Sequence, residues 1–571
     1  MFLELHVEVA TGSLNAFLAT FTVYIKMSPF TTSILNSSRV HPRSKPVFKR
    51  TTALSLLDAT VTNFAKTSAT WLFECPELPD QFNLPDHLRQ SLQITLDAYP
   101  QWCGQLQSIT SLTDSSIPER SQLPRHARRF GRVYVTYGFA KDPGVEFIVA
   151  TSTATLEDLS PLSRTEHKPI WDRHQAPLDE FSPLTSLVNP LKDTPEYGYI
   201  PAIAIQATML GCGGYVLSVK AAHAIADAHS LVYFVKHWAA VSRSILQSLP
   251  LPSQTPMFYP KMLDSLAAGD INSDAADEAI IQQTTKLPFH RYDWWIPSPG
   301  MPCWGTLKPD VFTEEVVPAG NAIPWWELDM EAPVSHYVIH LNKEQVDFLW
   351  QESIKGLSEG DMKERISKHD AILAHIWSCI NRARQMGQDD VPVHADLSYG
   401  LRPVLNLGDG FMGSPIVILN LEMRASELAF TSTTATDRSE QGINIQPIAQ
   451  YIRKTINQAN DPSLLAAHLH SVAFEKTPQR IWQAFMGRRH ILVTTWARAG
   501  LYEVDFGFGG ESKVRYAEGI VPDMDGIVLI KEAGAVEKGM SWTERGVDIS
   551  VRLRREDMER LIRDPWLSPD I

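Results

Sequence analysis

The amino-acid sequence predicts a mixed α/β protein that is large enough for two domains. Short apolar runs of the length typical of buried strands, such as residues 202–209 and 215–219, alternate with longer stretches that carry apolar residues at helical spacing. The chain has 571 residues, of which 44% are hydrophobic and 20% are charged, so it can bury two sizeable cores. It contains no repeat with a period of roughly 20–50 residues, which excludes repeat architectures.

The first half of the chain predicts strands and helices in a clear order. Residues 84–106 are predicted to begin as a helix, which Pro100 stops because proline lacks the N–H that a helix interior needs. The glycine-rich stretch 211–214 predicts a turn between two strands, and a helix is predicted over residues 227–244. The strands predicted in this half lie at residues 145–151, 202–209 and 215–219.

The second half begins with a long connection. Residues 250–333 are rich in proline and weakly periodic, so we expect a crossover between two lobes, packed in part by its own tryptophans. Beyond it, Asn342 and Ser367 are the predicted N-caps of two helices, and a last helix covers residues 555–563. Strands are predicted at residues 335–341, 416–421, 491–495, 527–530 and 547–553.

Charge and cysteine content exclude several classes of partner and site. The net formal charge is −13 without a dense run of lysine or arginine, so neither nucleic acid nor a membrane surface is an expected partner. The five cysteines are scattered and form no C-x-x-C pair, which favours a reduced, cytoplasmic protein without a disulfide framework or a zinc cage. Residues 1–26 lack the features of a secretory signal and are predicted to be an extension outside the core fold.

Two short motifs carry the most information about function. The first is His223-Ala224-Ile225-Ala226-Asp227, at the predicted junction of a strand and a helix. About one H-x-x-x-D is expected by chance in a chain of this composition, so this motif alone says little. The second, Asp505-Phe506-Gly507-Phe508-Gly509, has chance odds of roughly one in a few thousand in a chain this long. The ordered pair is therefore the strongest functional signal in the sequence.

The two motifs resemble the H-x-x-x-D-G and D-F-G-W-G strings of the plant and fungal acyl-CoA-dependent acyltransferases called BAHD. Similar family strings are matched by residues 99–106, 367–377 and 494–498. The resemblance extends over almost the whole chain and implies two chloramphenicol acetyltransferase-like lobes, each a mixed sheet with helices. The implied division is an extension outside the core at 1–26, an N-terminal lobe at 27–249, a crossover at 250–334 and a C-terminal lobe at 335–571.

Acyl transfer from a thioester to an alcohol requires a base, and His223 is the candidate. The acceptor must lose a proton as it attacks, and the tetrahedral oxyanion must be stabilised. A neutral imidazole suits the first task, and a position before a helix N-terminus disfavours its charged form. The resemblance implies that His223 is the general base of a ternary complex and that acyl-CoA, expected to be acetyl-CoA, is the co-substrate. It further implies a small natural-product alcohol as acceptor, no permanently bound cofactor and a monomer.

Asp227 has two possible roles. In a Ser-His-Asp arrangement it would orient the imidazole of His223. The resemblance implies instead that Asp227 points away from the reacting atoms and pairs with an arginine, here matched by Arg402, to hold the loop. His229 would join His223 and Asp227 in only an incomplete set of metal ligands, so no metal is expected there.

The remaining candidate residues lie near the C-terminal end of the chain. The resemblance implies a structural role in the second motif, at the lobe interface, for Asp505, Gly507 and Gly509. Hydroxyl groups upstream are candidate contacts to the oxyanion or the substrate, namely those of Thr494 and Thr495. Arg498 either grips an acidic acceptor or forms a surface salt bridge.

The sequence also departs from the family pattern. Ala222 replaces a second histidine, Ala228 and Ser414 replace glycine and asparagine, Gly400 replaces an arginine, and Phe508 replaces tryptophan. The substitutions at Ala228, Ser414 and Phe508 support an alternative in which the chain is a non-catalytic, ligand-binding paralogue of the same fold. A second alternative is an N-acyltransferase or a condensation-type enzyme, although the first histidine of the condensation motif is absent.

Two other motifs point to enzymes that the context excludes. The string from Gly356 to Gly360 has the G-x-S-x-G form of a serine-hydrolase elbow around Ser358, but a helix precedes it where a buried strand is required. The letters D-F-G also mark protein kinases, yet the glycine-rich loop and the H-R-D string of that family are missing.

Overall fold

The structure of the protein is a computed structural model that describes most of the chain. It confirms the predicted α/β fold with two sheet-containing lobes. No helix in the described part of the chain is long and apolar enough to cross a membrane. The residues that the structure describes are 2–7, 21–26, 30–44, 48–77, 79, 81–110, 122–192, 199–357, 365–387, 390–428, 444–509 and 513–569.

The strands and helices are numbered separately along the chain. The strands are β1 (Phe2–Val7), β2 (Phe21–Lys26), β3 (Thr32–Val40), β4 (Arg50–Ala53), β5 (Thr67–Phe73), β6 (Gln105–Ser108), β7 (Val133–Tyr137), β8 (Val145–Ser152), β9 (Ile170–Asp172), β10 (Ile203–Leu210), β11 (Tyr215–Ala221), β12 (Tyr292–Asp293), β13 (Val334–Leu341), β14 (Pro392–Gly400), β15 (Ile416–Arg424), β16 (Ile481–Trp482), β17 (His490–Thr495), β18 (Val514–Gly519), β19 (Ile527–Glu532) and β20 (Val547–Arg554). The helices are α1 (Leu56–Thr60), α2 (Leu84–Leu96), α3 (Leu156–Leu159), α4 (Arg164–His167), α5 (Ala228–Leu246), α6 (Pro260–Asp264), α7 (Glu278–Gln283), α8 (Lys343–Ile354), α9 (Lys368–Ala383), α10 (Gln446–Ala459), α11 (Pro462–Phe474) and α12 (Arg555–Leu561).

The N-terminal lobe is built on a six-stranded sheet with the order β18-β5-β11-β10-β8-β3. Its central strands are buried because helices cover the sheet, and every residue of β5 is buried. β10 pairs in parallel with β8, and the other neighbours in this sheet pair antiparallel. β11 occupies the middle of the sheet and leads directly into the loop that carries His223.

The C-terminal lobe is built on a seven-stranded sheet with the order β15-β14-β17-β19-β20-β13-β9. β14, β17 and β19 run parallel to one another, so their carboxyl ends meet at one edge of the sheet. α9 packs against this lobe with almost every residue buried, and its predicted capping box of Ser367 and Asp370 is present.

Each lobe contributes one strand to the sheet of the other lobe. β18, from the C-terminal part of the chain, pairs with β5, whereas β9, from the N-terminal part, pairs with β13. The loop that precedes β18 also packs into the apolar core of the N-terminal lobe. The two sheets therefore do not coincide with the division at residue 334 that the sequence suggested, because the exchange of strands ties the lobes together.

Two predicted segments differ in detail. α2 ends at Leu96, well before residue 106, because the residue before Pro100 is disfavoured in the helical conformation and the chain turns there before entering β6. The crossover contains the short helices α6 and α7, and its Trp294 and Trp325 stack on Trp482 of the C-terminal lobe. Trp326, in contrast, is 65% exposed, so the tryptophans pack only part of the crossover.

Candidate active site

His223 lies in the short loop between β11 and α5, and its side chain is half-buried. Asp227 ends this loop and caps α5, because its carboxylate accepts a hydrogen bond from the backbone N–H of Ser230 at 2.9 Å. Ala228, which replaces the glycine of the family pattern, is the first helical residue and has negative φ, so its Cβ causes no strain. The loop is thus fixed where it enters the helix.

Arg402 holds Asp227 with two parallel hydrogen bonds. Its Nη1 donates to Oδ2 at 2.5 Å and its Nη2 donates to Oδ1 at 2.9 Å, and both side chains are buried. Arg402 also donates to Ser230 Oγ and to the carbonyl oxygens of Phe411 and Gly413. Burial raises the pKa of Asp227, but the Arg402 guanidinium outweighs it and holds this pKa below its usual value.

The pairing leaves Asp227 without a contact to the imidazole. Both of its oxygens accept hydrogen bonds from other groups, and among the described residues no hydrogen bond joins it to the ring of His223. The Nε2 atom of His229 lies 2.8 Å from the carbonyl oxygen of Asp409. Asp227 and His229 are therefore occupied elsewhere and do not assemble with His223.

Ser414 contacts the ring of His223 from the C-terminal lobe and determines its tautomer. The hydroxyl of Ser414 donates to the backbone carbonyl oxygen of His223 at 2.5 Å, which uses its only proton. The same oxygen lies 3.3 Å from Nδ1 of His223, so it accepts there and Nδ1 carries the hydrogen. In a neutral imidazole this leaves Nε2 unprotonated, as a general base requires.

Asp58 fixes Ser414 in turn, and sequence reasoning did not identify it. Its Oδ1 accepts from the backbone N–H of Ser414 at 2.6 Å, and its Oδ2 accepts from the backbone N–H of Ser55 at 2.9 Å. Gly413 permits this approach, because a Cβ at that position would lie 2.8 Å from Asp58 Oδ1. Burial raises the pKa of Asp58 to about 7, against the hydrogen bonds from Ser414 and Ser55. The S-x-x-D spacing of Ser55 and Asp58 is a capping-box signal that could have identified the residue.

The surroundings of His223 keep it neutral. Burial is the main cause that lowers the pKa of His223 below its usual value, and the positive charge of Lys66 lowers it further, while Asp227 acts in the opposite direction. The ring of Phe64 meets the imidazole edge-on, with centroids 5.9 Å apart. Burial and Lys66 thus both favour the neutral imidazole.

Thr494, Thr495 and Arg498 lie at the carboxyl end of β17 and just after it. Both threonines are half-buried, and the hydroxyl of Thr495 is 3.5 Å from the carbonyl oxygen of Ile530. Arg498 is exposed and has a positive φ of 67°. No hydrogen bond or ring contact among the described residues joins these three side chains to His223.

The second motif binds the far end of the helix that follows His223. Asp505 pairs with Arg243 at 3.0 Å and accepts the backbone N–H of Gly507 at 2.8 Å. Gly507 has a φ of +81°, and a Cβ there would lie 3.0 Å from the Cα of Arg243. Phe506 and Phe508 are buried and stack on each other, with ring centroids 5.9 Å apart.

Arg243 lies on the last turns of α5, about 24 Å along the helix from Asp227 at the rise of an α-helix. Gly509 also has a positive φ, of 78°, and its Cβ position faces Glu77. The motif therefore lies in the N-terminal lobe, remote from the candidate base. Ser358, the residue of the hydrolase-like string, lies outside the described residues.

Comparison with protein families decides the class of this chain. The model described as "Transferase family" matches residues 140–286 and 334–566, which is more than half of the chain. The chain belongs to this family. It is thus one of the BAHD acyltransferases that its motifs resemble, and the predicted acyltransferase activity is confirmed at the level of the enzyme class.

Two named relatives align with nearly the full length of this BAHD protein. It is 26% identical to acyltransferase AFT15-1 of Alternaria alternata, covering 94% of this chain and 97% of the relative. It is 24% identical to acyltransferase abl6 of Leptosphaeria maculans, again covering 94% and 97%. Both relatives are fungal acyltransferases.

Solved structures show the same fold at lower identity. Vinorine synthase matches 93% of this chain and 96% of its own, with a TM-score of 0.54 and 16% identity. TRI101 of F. graminearum, in complex with coenzyme A and deoxynivalenol, matches 91% of this chain and 98% of its own, with a TM-score of 0.57 and 16% identity.

Proposed function

We propose that this BAHD protein transfers an acyl group, expected to be acetyl, from acyl-CoA to the hydroxyl of a small natural-product alcohol. His223 is the general base of a ternary complex. The observation that supports this most strongly is the state of its imidazole, which is half-buried, neutral and protonated on Nδ1 by its contact with Ser414. The binding of coenzyme A by TRI101, a protein of the same fold, supports acyl-CoA as the co-substrate.

The first step forms the new carbon–oxygen bond. The hydroxyl oxygen of the acceptor attacks the thioester carbonyl carbon, while its proton passes to Nε2 of His223. The thioester is already activated, so no covalent enzyme intermediate is required. Ser414 stabilises the imidazolium that results, because its hydroxyl oxygen continues to accept the hydrogen on Nδ1.

The second step breaks the carbon–sulfur bond. The tetrahedral intermediate collapses, the coenzyme A thiolate leaves, and the proton on Nε2 returns to its sulfur, which restores the neutral base. The oxyanion needs a hydrogen-bond donor, and the hydroxyls of Thr494 and Thr495 at the edge of the C-terminal sheet are the candidates. Arg498, exposed beyond them, is a candidate contact to an acidic acceptor.

Asp227 and Arg402 support the base without touching the substrate in this mechanism. Their paired hydrogen bonds fix the start of α5 to the loop around Gly413, next to Ser414. Asp505, Gly507 and Gly509 fix the other end of the same helix. The enzyme is proposed to act as a cytoplasmic monomer.

Replacement of His223 by asparagine tests the proposal. The amide nitrogen of asparagine keeps a donor for Ser414 but cannot accept a proton, so kcat should fall by about 10²- to 10⁴-fold. Release of coenzyme A from acetyl-CoA, measured with a thiol reagent against a panel of alcohols and amines, reports turnover and the acceptor class. His167→Ala, at an exposed position on α4, is the matched control and should retain full activity.

The alternative of a ligand-binding paralogue makes the opposite prediction. In that case neither the wild-type protein nor His223→Asn would turn over any acceptor, and both would bind the same ligand with equal affinity. Turnover of amines in place of alcohols would leave His223 as the proposed base but would replace alcohols by amines as the acceptor class.

A further inference from the structure

Three histidines that the proposed mechanism does not use converge at the opposite end of the C-terminal sheet. They are His290 of the crossover, His394 of β14 and His490 of β17. One ring nitrogen from each lies within 4.8 Å of those of the other two. His394 and His490 are direct neighbours in the parallel pairing of β14 with β17, and their rings stack with centroids 4.4 Å apart.

A buried carboxylate lies beside two of the three rings and orients that of His490. Asp396 is inaccessible to solvent, with one oxygen 3.2 Å from Nε2 of His290 and the other 3.1 Å from Nδ1 of His490. Its Oδ2 also accepts the backbone N–H of Phe485 at 3.0 Å. An ionised carboxylate only accepts, so Nδ1 of His490, which is hydrogen-bonded to it, carries hydrogen.

The third ring is oriented by an amide. Nδ1 of His394 lies 3.0 Å from Oδ1 of Asn420, an acceptor, so Nδ1 carries the hydrogen in this ring as well. In neutral rings this leaves Nε2 of both His394 and His490 without hydrogen. A carboxylate or amide hydrogen-bonded to the imidazole, as in His490 and His394, is the arrangement that supports metal-binding histidines in proteins.

The charge of Asp396 is balanced by no lysine or arginine among the described residues. Within the described part of the chain, no lysine or arginine nitrogen lies within 4 Å of this carboxylate, and its ion-pair partners are His290 and His490. A buried carboxylate without a positive partner is costly. A divalent cation bound by the three rings would supply positive charge close to this carboxylate.

We propose that His290, His394 and His490 bind one divalent transition-metal ion of the zinc class at a structural site. Imidazole nitrogens suit this class of ion, which binds them at about 2.0–2.1 Å, with nitrogens about 3.4 Å apart in a tetrahedral site. The nitrogens, which now lie up to 4.8 Å apart, need to approach by as much as about 1.4 Å, and the stacked rings of His394 and His490 need to rotate so that one ion lies in the plane of both. Water takes the fourth position. The site joins the crossover to the two strands of the sheet.

The position of this site separates it from the acyl-transfer chemistry. His394 and His490 lie at the amino ends of β14 and β17, whereas Arg402 follows the carboxyl end of β14 and Thr495 ends β17. At the rise of a strand the two ends are on the order of 20 Å apart. The metal site therefore does not depend on the proposed function, and each can fail without the other.

Zinc binding by the full-length protein tests the proposal. After treatment with a chelator, the protein is titrated with ZnCl₂ and its metal content is measured by mass spectrometry after desalting. We expect one zinc per chain and a rise in the unfolding midpoint of roughly 2 °C at a zinc concentration 100-fold above the dissociation constant. Co²⁺ should give the visible absorption of a tetrahedral nitrogen site in the same protein.

Two variants and a control make the result decisive. His394→Gln and His290→Asn should both lose the bound zinc and its thermal shift, whereas His167→Ala, at an exposed histidine, should keep both. His290 lies on the crossover outside the two main sheets, so its replacement remains informative if His394→Gln fails to fold. The proposal is overturned if wild-type protein binds no stoichiometric zinc, or if the His290→Asn variant binds as much as wild type.

Discussion

The two ends of the C-terminal sheet place histidine beside a buried aspartate in different ways. Beside the carboxyl ends of its strands, Asp227 is neutralised by Arg402, and the single imidazole of His223 is left without a carboxylate contact. At the amino ends, Asp396 has no arginine or lysine partner among the described residues, and two of three converging imidazoles face it. The comparison indicates that the partner of the carboxylate decides what the histidine can do.

Each histidine tautomer is fixed by a different acceptor. In His223 a serine hydroxyl of the opposite lobe accepts the hydrogen on Nδ1, which suits a base that must gain and lose a proton. In His490 a full carboxylate accepts the hydrogen on Nδ1, which makes the opposite nitrogen a stronger ligand. The same residue types thus serve proton transfer at one end and, in our proposal, metal binding at the other.

Removal of Arg402 should abolish the difference between the two buried aspartates, and it has the largest expected effect. Arg402→Met leaves Asp227 buried with no arginine, as Asp396 is now, and should lower the free energy of unfolding by about 3–5 kcal/mol. Urea denaturation measures the loss. The double variant Arg402→Met/Asp227→Asn removes the charge and should recover part of it.

Arg498→Met is the control for this experiment, since Arg498 is exposed and its replacement should change stability by about 0.5 kcal/mol or less. If Arg402→Met is no less stable than Arg498→Met, the charge of Asp227 does not depend on its arginine. The contrast between the two ends of the sheet would then have another cause.

The sequence predicted the parts of this site that follow a local pattern. His223 and Asp227 were found because a strand, a loop and a helix follow one another in the chain, and the structure places α5 within two residues of the prediction. Arg402, which the structure sets against Asp227, was proposed from family spacing. The glycines of the second motif, for which the resemblance implies a structural role, both have positive φ.

The parts that the sequence did not predict depend on strand register and on the packing of the lobes. The convergence of His290, His394 and His490 requires the parallel pairing of β14 with β17 and the path of the crossover, which no local pattern encodes. The contact of Asp58 with Ser414 joins the two lobes. The exchange of β9 and β18 is likewise a property of the assembled sheets.

Replacement of Ser414 tests whether activity depends on the His223 tautomer that carries hydrogen on Nδ1. Ser414→Ala removes the acceptor of the hydrogen on Nδ1, so kcat should fall about 5- to 10-fold, which corresponds to one hydrogen bond of about 1–1.4 kcal/mol. The KM for acyl-CoA should not change, because Ser414 acts on the base and not on the ligand. Steady-state kinetics separate the two constants.

Ser414→Asn provides the rescue. Its amide can donate to the carbonyl oxygen of His223 through nitrogen and accept from Nδ1 through oxygen, so activity should remain close to wild type. Equal loss of activity in the alanine and asparagine variants would show that Ser414 contributes packing and not the tautomer.

The substitution with the smallest expected effect tests what sets the pKa of His223. Lys66 disfavours the imidazolium, so Lys66→Met should raise the pKa of His223 and move the acid limb of the pH profile of kcat/KM to higher pH. The plateau rate above that limb should not change, because the neutral base is the same in both proteins. Lys236→Met removes a lysine of α5 that pairs with Glu503, and it should leave the limb in place. A limb that stays fixed in Lys66→Met, or moves to lower pH, would mean that burial alone keeps this histidine neutral, and Lys66 would have no part in setting the working range of the base.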